Sequence, residues 1–392
     1  MLDVKEKGQC NGCRMCGELC PAGAISFVCD ELDGFVYPKV DRDKCIHCGL
    51  CVKRCPQRNP VEMENRYSPK VYAAWTLDDE KRLLCTSGGM FWELARQMID
   101  EGGVVAACRY TADFRGAYHT VAETLEELIP LCGSKHVQSA TTGVFRKVKA
   151  YLERGNKVFF VGTPCQVAAL YSYLGKDPEG LYTGDFVCNS INSPKAQGKY
   201  IDYLEEVYGG RCIYARAKDK RYGWNQFGSS AKFDNGKEYY APKDRDLRVV
   251  GYHYGHLFVR ESCYACQYKK IPRNADITLA DFWGIEPDER NPGMELGTSL
   301  VMINSEKGEK FFASLGDKIN YYEKDLQSAV RGNPAIYHSA VPSGRSEAAF
   351  RMLDEADFRA VVERYRFRPG VLHKVKKKIK CLLKTVRQRG LK

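Results

Sequence analysis

Apolar residues along this chain fall into short blocks separated by polar turns, and the spacing inside each block identifies the element it builds. Residues 24–28 and 34–40 alternate apolar and polar side chains, the pattern of a hairpin. A polar stretch at 61–70 reads as a linker. Beyond it, apolar runs at 71–75, 103–107 and 157–161 read as buried strands, and Phe91, Leu94, Ala95, Met98 and Ile99 at helical spacing predict a helix over 91–101. Further helices are expected at 144–154 and 166–174, and residues 275–284 read as a strand running into a sharp turn. Strands alternating with helices predict a largely parallel sheet, so the fold class is α/β, α+β overall. The expected division is 1–60 as a small N-terminal domain, 71–350 as the mixed α/β body and 351–392 as a helical region.

Composition suits folded material throughout, at 44% hydrophobic and 28% charged over 392 residues, a length for two or three domains. The formal charge of +11 suggests nucleic acid until it is located. Nine lysines and arginines, with no acid, lie within residues 373–392, which leaves the body nearly neutral and without a nucleic-acid-binding motif. Within that tail, residues 371–386 set Val371, Leu372, Val375, Ile379, Leu382, Leu383 and Val386 among lysines at helical spacing. The pattern fits a cationic amphipathic helix on an anionic membrane surface, or equally a helix docked on protein. The start carries no apolar signal region, so the 18 cysteines are expected in the reducing cytoplasm rather than in disulfides. The longest apolar run, 158–170, is interrupted by Gly162, Thr163, Pro164 and Gln166 and is too short to span a membrane.

Cysteine spacing changes the picture most. Cys10, Cys13, Cys16 and Cys20 before Pro21 repeat as Cys45, Cys48, Cys51 and Cys55 before Pro56. Three thiolates at intervals of three wrap one corner of a cubane, and the fourth crosses to the other cluster. One [4Fe-4S] cluster is therefore expected on Cys10, Cys13, Cys16 and Cys55, and a second on Cys45, Cys48, Cys51 and Cys20. Zinc also uses paired CxxC units, but seldom a third cysteine three residues on.

Four more cysteines, Cys165, Cys188, Cys263 and Cys266, sit at strand ends or a CxxC turn. A third cluster, a redox dithiol or a zinc site all fit them. Ser87, Gly88 and Gly89 precede a helix start, the geometry of an anion site or simply of a cap. Asp281 stands at a strand tip, free to orient a ligand or a basic group. Cys29, Cys85, Cys108, Cys132, Cys212 and Cys381 have no matching partners and read as structural or unassigned.

In order and together, these motifs resemble the beta-subunit family of coenzyme F420 hydrogenases and dehydrogenases, in the form with an N-terminal two-cluster ferredoxin. The resemblance runs over about residues 5–350. It also rests on Gly133 through Ser139, on Gly162-Thr163-Pro164-Cys165-Gln166, on Ser193-Pro194-Lys195, and on Asp276-Ile277-Thr278 through Gly284. It implies FAD lined by Ser87, Gly88, Gly89, Lys135, Val137 and Gln138, and a third [4Fe-4S] cluster on Cys165, Cys188, Cys263 and Cys266. Hydride would pass between a deazaflavin or NAD(P)H and the flavin, and single electrons through the clusters to a partner protein or small-molecule substrate. Lys135 would stabilise reduced flavin, and His136 would donate a proton or sit as a core histidine. Two departures fall near the donor site: Cys188-Asn189-Ser190 where the family has Cys-His-Gly, and Ala280 where a glycine is common. Similar proteins in bacteria without the deazaflavin accompany surface-polysaccharide synthesis. A non-catalytic electron-transfer subunit and an assembly component with structural clusters are the rival readings.

Overall fold

The structure, a computed structural model, describes residues 4 and 6–366, so the basic helix expected at 371–386 lies outside the described residues. Fourteen strands are described: β1 Ile25–Cys29, β2 Val36–Val40, β3 Lys70–Thr76, β4 Val104–Tyr110, β5 Ala117–Ala122, β6 Ser139–Ala140, β7 Val158–Val161, β8 Leu181–Phe186, β9 Cys212–Asp219, β10 Gly228–Phe233, β11 Glu238–Pro242, β12 Ile277–Asp281, β13 Ser299–Ile303 and β14 Ile319–Lys324. β1 and β2 form the expected hairpin, with Phe27 opposite Pro38. A nine-stranded sheet runs β14-β3-β13-β12-β8-β7-β4-β5-β6, and a smaller one runs β11-β10-β9.

The expected largely parallel sheet is corrected to a mixed one. Its centre, β12-β8-β7-β4, is parallel. Antiparallel pairs flank that centre, β5 on one side and β13, β3 and β14 on the other. The reason is loop length: residues 111–116 join β4 to β5 and are too few for the crossover that parallel strands require.

Both faces of the central strands are buried, and the period of two is visible in the packing. Val105, Ala107 and Phe159 face helices Met90–Asp100 and Glu306–Ala313. Val104, Ala106, Val158 and Phe160 face helices Val144–Glu153 and Pro164–Leu174. Cys13 and Met15 pack into this second layer, so the N-terminal cysteine segment is seated on the sheet-covering helices. A third core joins helix Pro194–Tyr208, the small sheet and helices Ser346–Met352 and Phe358–Tyr365.

Residues 61–70, read as a linker, are tied to the body. The buried Arg66 guanidinium pairs with Asp276 at 3.1 Å and donates to the Tyr171 hydroxyl and Asn274 carbonyl. Asp276 also accepts from the Thr183 amide and from Ser305, while Thr278 donates to Asp185. The Asp276-Ile277-Thr278 motif thus cross-braces neighbouring strands. No helix among the described residues is long and apolar enough to cross a membrane.

His119, buried and stacked on Phe160, meets the Val161 carbonyl through Nε2. Burial pulls its pKa down to about 4. Because the folded value lies below the unfolded 6.5, the unfolded chain binds the extra proton between those limits, and stability falls as pH drops through that window. A shift of this size is worth about 3 kcal/mol. His119→Gln should lose less thermal stability than the parent between pH 7 and pH 5, read as the difference in Tm at the two pH values.

Candidate functional site

The members of the first cysteine set lie close together. Cys10, Cys13 and Cys16 curl around helix Met15–Leu19, and Cys55 arrives after the short helix Leu50–Lys53. Burial raises the Cys13 and Cys16 thiols, Cys16 to about 12, and both feel the charges of Cys10 and Cys55. The crossing ligand is thus beside the three-residue run. Cys20, Cys45, Cys48 and Cys51 together line one hollow, floored by Ala24, Ile25 and Val40 of the hairpin. Backbone amides point at sulfur in both sets, from Gly12 to Cys10 at 3.4 Å and from Ala24 to Cys20 at 3.3 Å, contacts of the kind that tune cluster potentials.

The four remaining candidates, drawn from three separate segments of the chain, also converge. Thr163 and Gln166 form a capping box that starts helix Pro164–Leu174 and fixes Cys165 in its first turn, with the Thr163 hydroxyl 3.0 Å from the thiol. Cys188 follows β8, and Cys263 lies in the tight helix Glu261–Ala265, just ahead of Cys266. Burial raises Cys165, Cys188 and Cys263 to about 12, and charges within the group push further: Cys165 feels Cys266 and Cys188, and Cys188 feels Cys263. Among the described residues no three or more His, Cys, Asp or Glu side chains close on one point as around a single metal ion. The ligands of a cubane stand wider, each on its own iron.

Two residues that the motifs did not flag join this group to the first set. Arg260, 0% exposed, donates to the Cys10 carbonyl at 2.8 Å, to Gln138 and to the Val36 carbonyl. Its guanidinium lies 4.5 Å from the Tyr37 ring and 5.0 Å from Phe35. The Cys263 amide bonds the Arg260 carbonyl at 2.9 Å, so one residue links both cysteine groups. Tyr268 donates to the Pro56 carbonyl, and its hydroxyl feels Cys165 and Cys266 on one side and Cys13 and Cys55 on the other. Gly12 has no room for a side chain: a Cβ would stand 2.4 Å from Gln138 and 2.8 Å from Arg260.

The segments expected to line a flavin meet. Thr86 Oγ1 accepts from the Ser134 amide at 2.8 Å, which joins the 86–89 turn to the 133–138 loop. Several of their polar groups are already engaged: Ser87 donates to the Thr298 carbonyl, and the Gly88 amide to Ser299. The Lys135 ammonium sits on the Leu131, Cys132 and Gly133 carbonyls, and Gln138 bonds Asn11 and Arg260. Val137 is buried. Unspent capacity lies next door. The buried His136 Nδ1 and Arg248 Nη1 have no partner, and His136 faces Tyr252 and His253 at ring distances of 6.3 and 6.4 Å. Burial, with Arg248, Lys218 and His253 nearby, drives the His136 pKa well down.

Tyr252 and His253 belong to a π-helix, Val249–Tyr254, an element that no periodicity announces. The Tyr252 hydroxyl bonds the Ser190 carbonyl, which also takes the Cys188 thiol, so this ring sits against the Cys188 side of the cysteine group. Asp281 is spent on a basic group: it pairs with Lys218 and accepts the Trp224 indole at 2.7 Å. Lys218 and Lys243 lie over the Trp283 ring. Cationic side chains and flat rings surrounding unpartnered donors suit a planar, anionic ligand.

Residues 155–328 match the family described as the C terminus of the coenzyme F420 hydrogenase/dehydrogenase beta subunit, and residues 9–59 match the 4Fe-4S dicluster domain. An uncharacterized protein of Methanocaldococcus jannaschii is 21% identical over 346 residues, 79% of this chain and 87% of that one. The coenzyme F420-dependent sulfite reductase of the same organism is 22% identical over 170 residues, 43% of this chain and 26% of the reductase. That likeness spans about a quarter of the reductase's length. Among solved structures, a chain of the xenon-derivatised F420-reducing [NiFe] hydrogenase complex from Methanosarcina barkeri is similar at 18% identity and a TM-score of 0.47, covering 78% of this chain and 94% of that one.

Proposed function

Residues 155–328 belong to the C-terminal family of coenzyme F420 hydrogenase/dehydrogenase beta subunits and residues 9–59 to the 4Fe-4S dicluster domains, and from that premise we propose an iron–sulfur flavoprotein that takes hydride from a deazaflavin or NAD(P)H donor and passes single electrons to a redox partner. At the coarser level the chain is an iron–sulfur electron-transfer protein of the oxidoreductase class.

In this reading Cys10, Cys13, Cys16 and Cys55 hold one cluster, Cys45, Cys48, Cys51 and Cys20 the second, and Cys165, Cys188, Cys263 and Cys266 the third. The observation that carries it is the pair of contact runs on either side of the third cysteine group, Tyr252–Ser190–Cys188 toward the candidate flavin site and Cys263–Arg260–Cys10 toward the first set. FAD is assigned to the neighbourhood of His136, Tyr252 and His253 and of the 86–89 and 133–138 segments. Bound flavin supplies the conversion between a two-electron hydride and single electrons. Arg248 and Lys218 bind and orient the anionic part of the ligand there, and Asp281 holds Lys218 in place. His136, neutral at pH 7, holds or passes a proton at Nδ1. Electrons leave at the second set, where Cys48 is exposed and Ile46, 65% exposed, offers a partner an apolar contact. The lysine-rich stretch at 371–386 is assigned to an anionic membrane surface.

Anaerobically purified protein should carry flavin and about twelve irons, the content of three four-iron clusters. Titration with reduced deazaflavin, NADH and NADPH in turn should bleach the flavin with one of them, which names the donor. Colourless protein, or iron without flavin bands, overturns the reading.

A further inference from the structure

Two cysteines outside all three ligand groups stand together. Cys85 ends helix Asp79–Leu84, and Cys132 follows the turn Ile129–Leu131. Both pack on the core beneath helix Met90–Asp100, and they are near enough that each is the first influence on the other's titration. The chain holds them in place on both sides: the Cys85 amide bonds the Lys81 carbonyl, Cys132 bonds the Leu128 carbonyl, and just beyond them Thr86 accepts from the Ser134 amide. Access is unequal, because Cys85 is 4% exposed while Cys132 is half-buried. Cations surround the pair. The Lys220 ammonium, anchored on the Ser87 carbonyl at 2.7 Å, and Arg216 both act on Cys85, and Lys135 acts on Cys132. Their proximity lowers Cys85 and raises Cys132, so the pair gives up its first proton readily and holds the second.

We propose that Cys85 and Cys132 are a redox-active dithiol that exchanges two electrons with a small-molecule disulfide, apart from the one-electron cysteine groups. Cys85 gives up its proton first; Cys132, the more exposed residue, then passes its own proton to the Cys85 thiolate as its sulfur attacks the external disulfide RSSR, forming a mixed disulfide and releasing RS⁻. Cys85 loses that proton again, its thiolate attacks the Cys132 sulfur, the protein disulfide forms, and the second RS⁻ leaves. The two thiol protons end on the two RS⁻ groups, so the dithiol is oxidised by two electrons and RSSR becomes 2 RSH. Closing this bond ties the 86–89 turn covalently to the 133–138 loop. The exchange uses neither flavin nor iron, so it stands whether or not those segments line a flavin.

The test equilibrates the full-length, iron-loaded protein anaerobically in glutathione buffers of rising disulfide content, quenches with acid, alkylates, and maps peptides without reduction. A linked peptide pair carrying Cys85 and Cys132 should rise along a single two-electron curve while iron content stays constant. Cys85→Ser should stop the reaction at a glutathione adduct on Cys132, and Cys132→Ser should leave Cys85 unmodified. Separate alkylation of Cys85 and Cys132 across the whole range in the unaltered protein, or a stable glutathione adduct on either, overturns the proposal.

Discussion

Cys263→Ser should lower bound iron from about twelve to about eight atoms per chain and stop electron flow from flavin to the N-terminal clusters. The expectation rests on where this thiol sits. It is packed against Tyr252, Val259 and Ala340, its amide is fixed to Arg260, and its charge is felt by Cys165 on one element and Cys188 on another. Serine preserves that packing and removes the ligand, so the fold survives and one iron group is lost. Iron analysis with electron paramagnetic resonance of the reduced protein separates the outcomes. Unchanged iron removes the third cluster from the assignment, and loss of all iron places the effect in folding rather than ligation.

The largest effect on stability is expected at Arg260. Arg260→Met keeps the bulk of the side chain and removes three donated hydrogen bonds and two ring contacts, leaving the Cys10 and Val36 carbonyls buried without this donor. Hydrogen bonds to charged groups contribute about 1.5–3 kcal/mol each, and because they are not additive the loss should be about 3–5 kcal/mol. Anaerobic denaturant unfolding of the iron-loaded protein measures it. The same substitution removes a positive charge beside Cys10, so the potential of the nearest cluster should fall. Arg260→Lys separates the two effects: it keeps the charge, and with it most of the potential, while losing the forked geometry and much of the stability.

Ligand spacing is readable in the sequence where ligation is local. The doubled run of cysteines needs only its own turns, and the hairpin between its halves follows from alternation alone. The third group is readable as four cysteines at element ends, but nothing in the order of residues says that Cys188 and Cys263 share a neighbourhood. Arg260 and Tyr268 carry no motif because their roles depend on contacts with residues more than 200 positions away. The π-helix carrying Tyr252 and His253 has no period to detect. The family resemblance implies Lys135 among the residues lining a flavin, and nothing in the order of residues shows that its ammonium rests on the Leu131, Cys132 and Gly133 carbonyls, which come into place only on folding. The parallel expectation overreaches because apolar runs report burial and not strand direction.

The Arg260–Cys10 contact also bears on biogenesis. Cys13 and Cys16 are buried in the finished protein, and the side chain that covers this segment is synthesised 250 residues after Cys10. A ribosome therefore exposes the first cysteines long before anything is available to cover them. Throughout that interval Cys13 and Cys16 stand without the Arg260 side chain above them. Closure ahead of cluster assembly would leave these two thiols buried before any iron reached them.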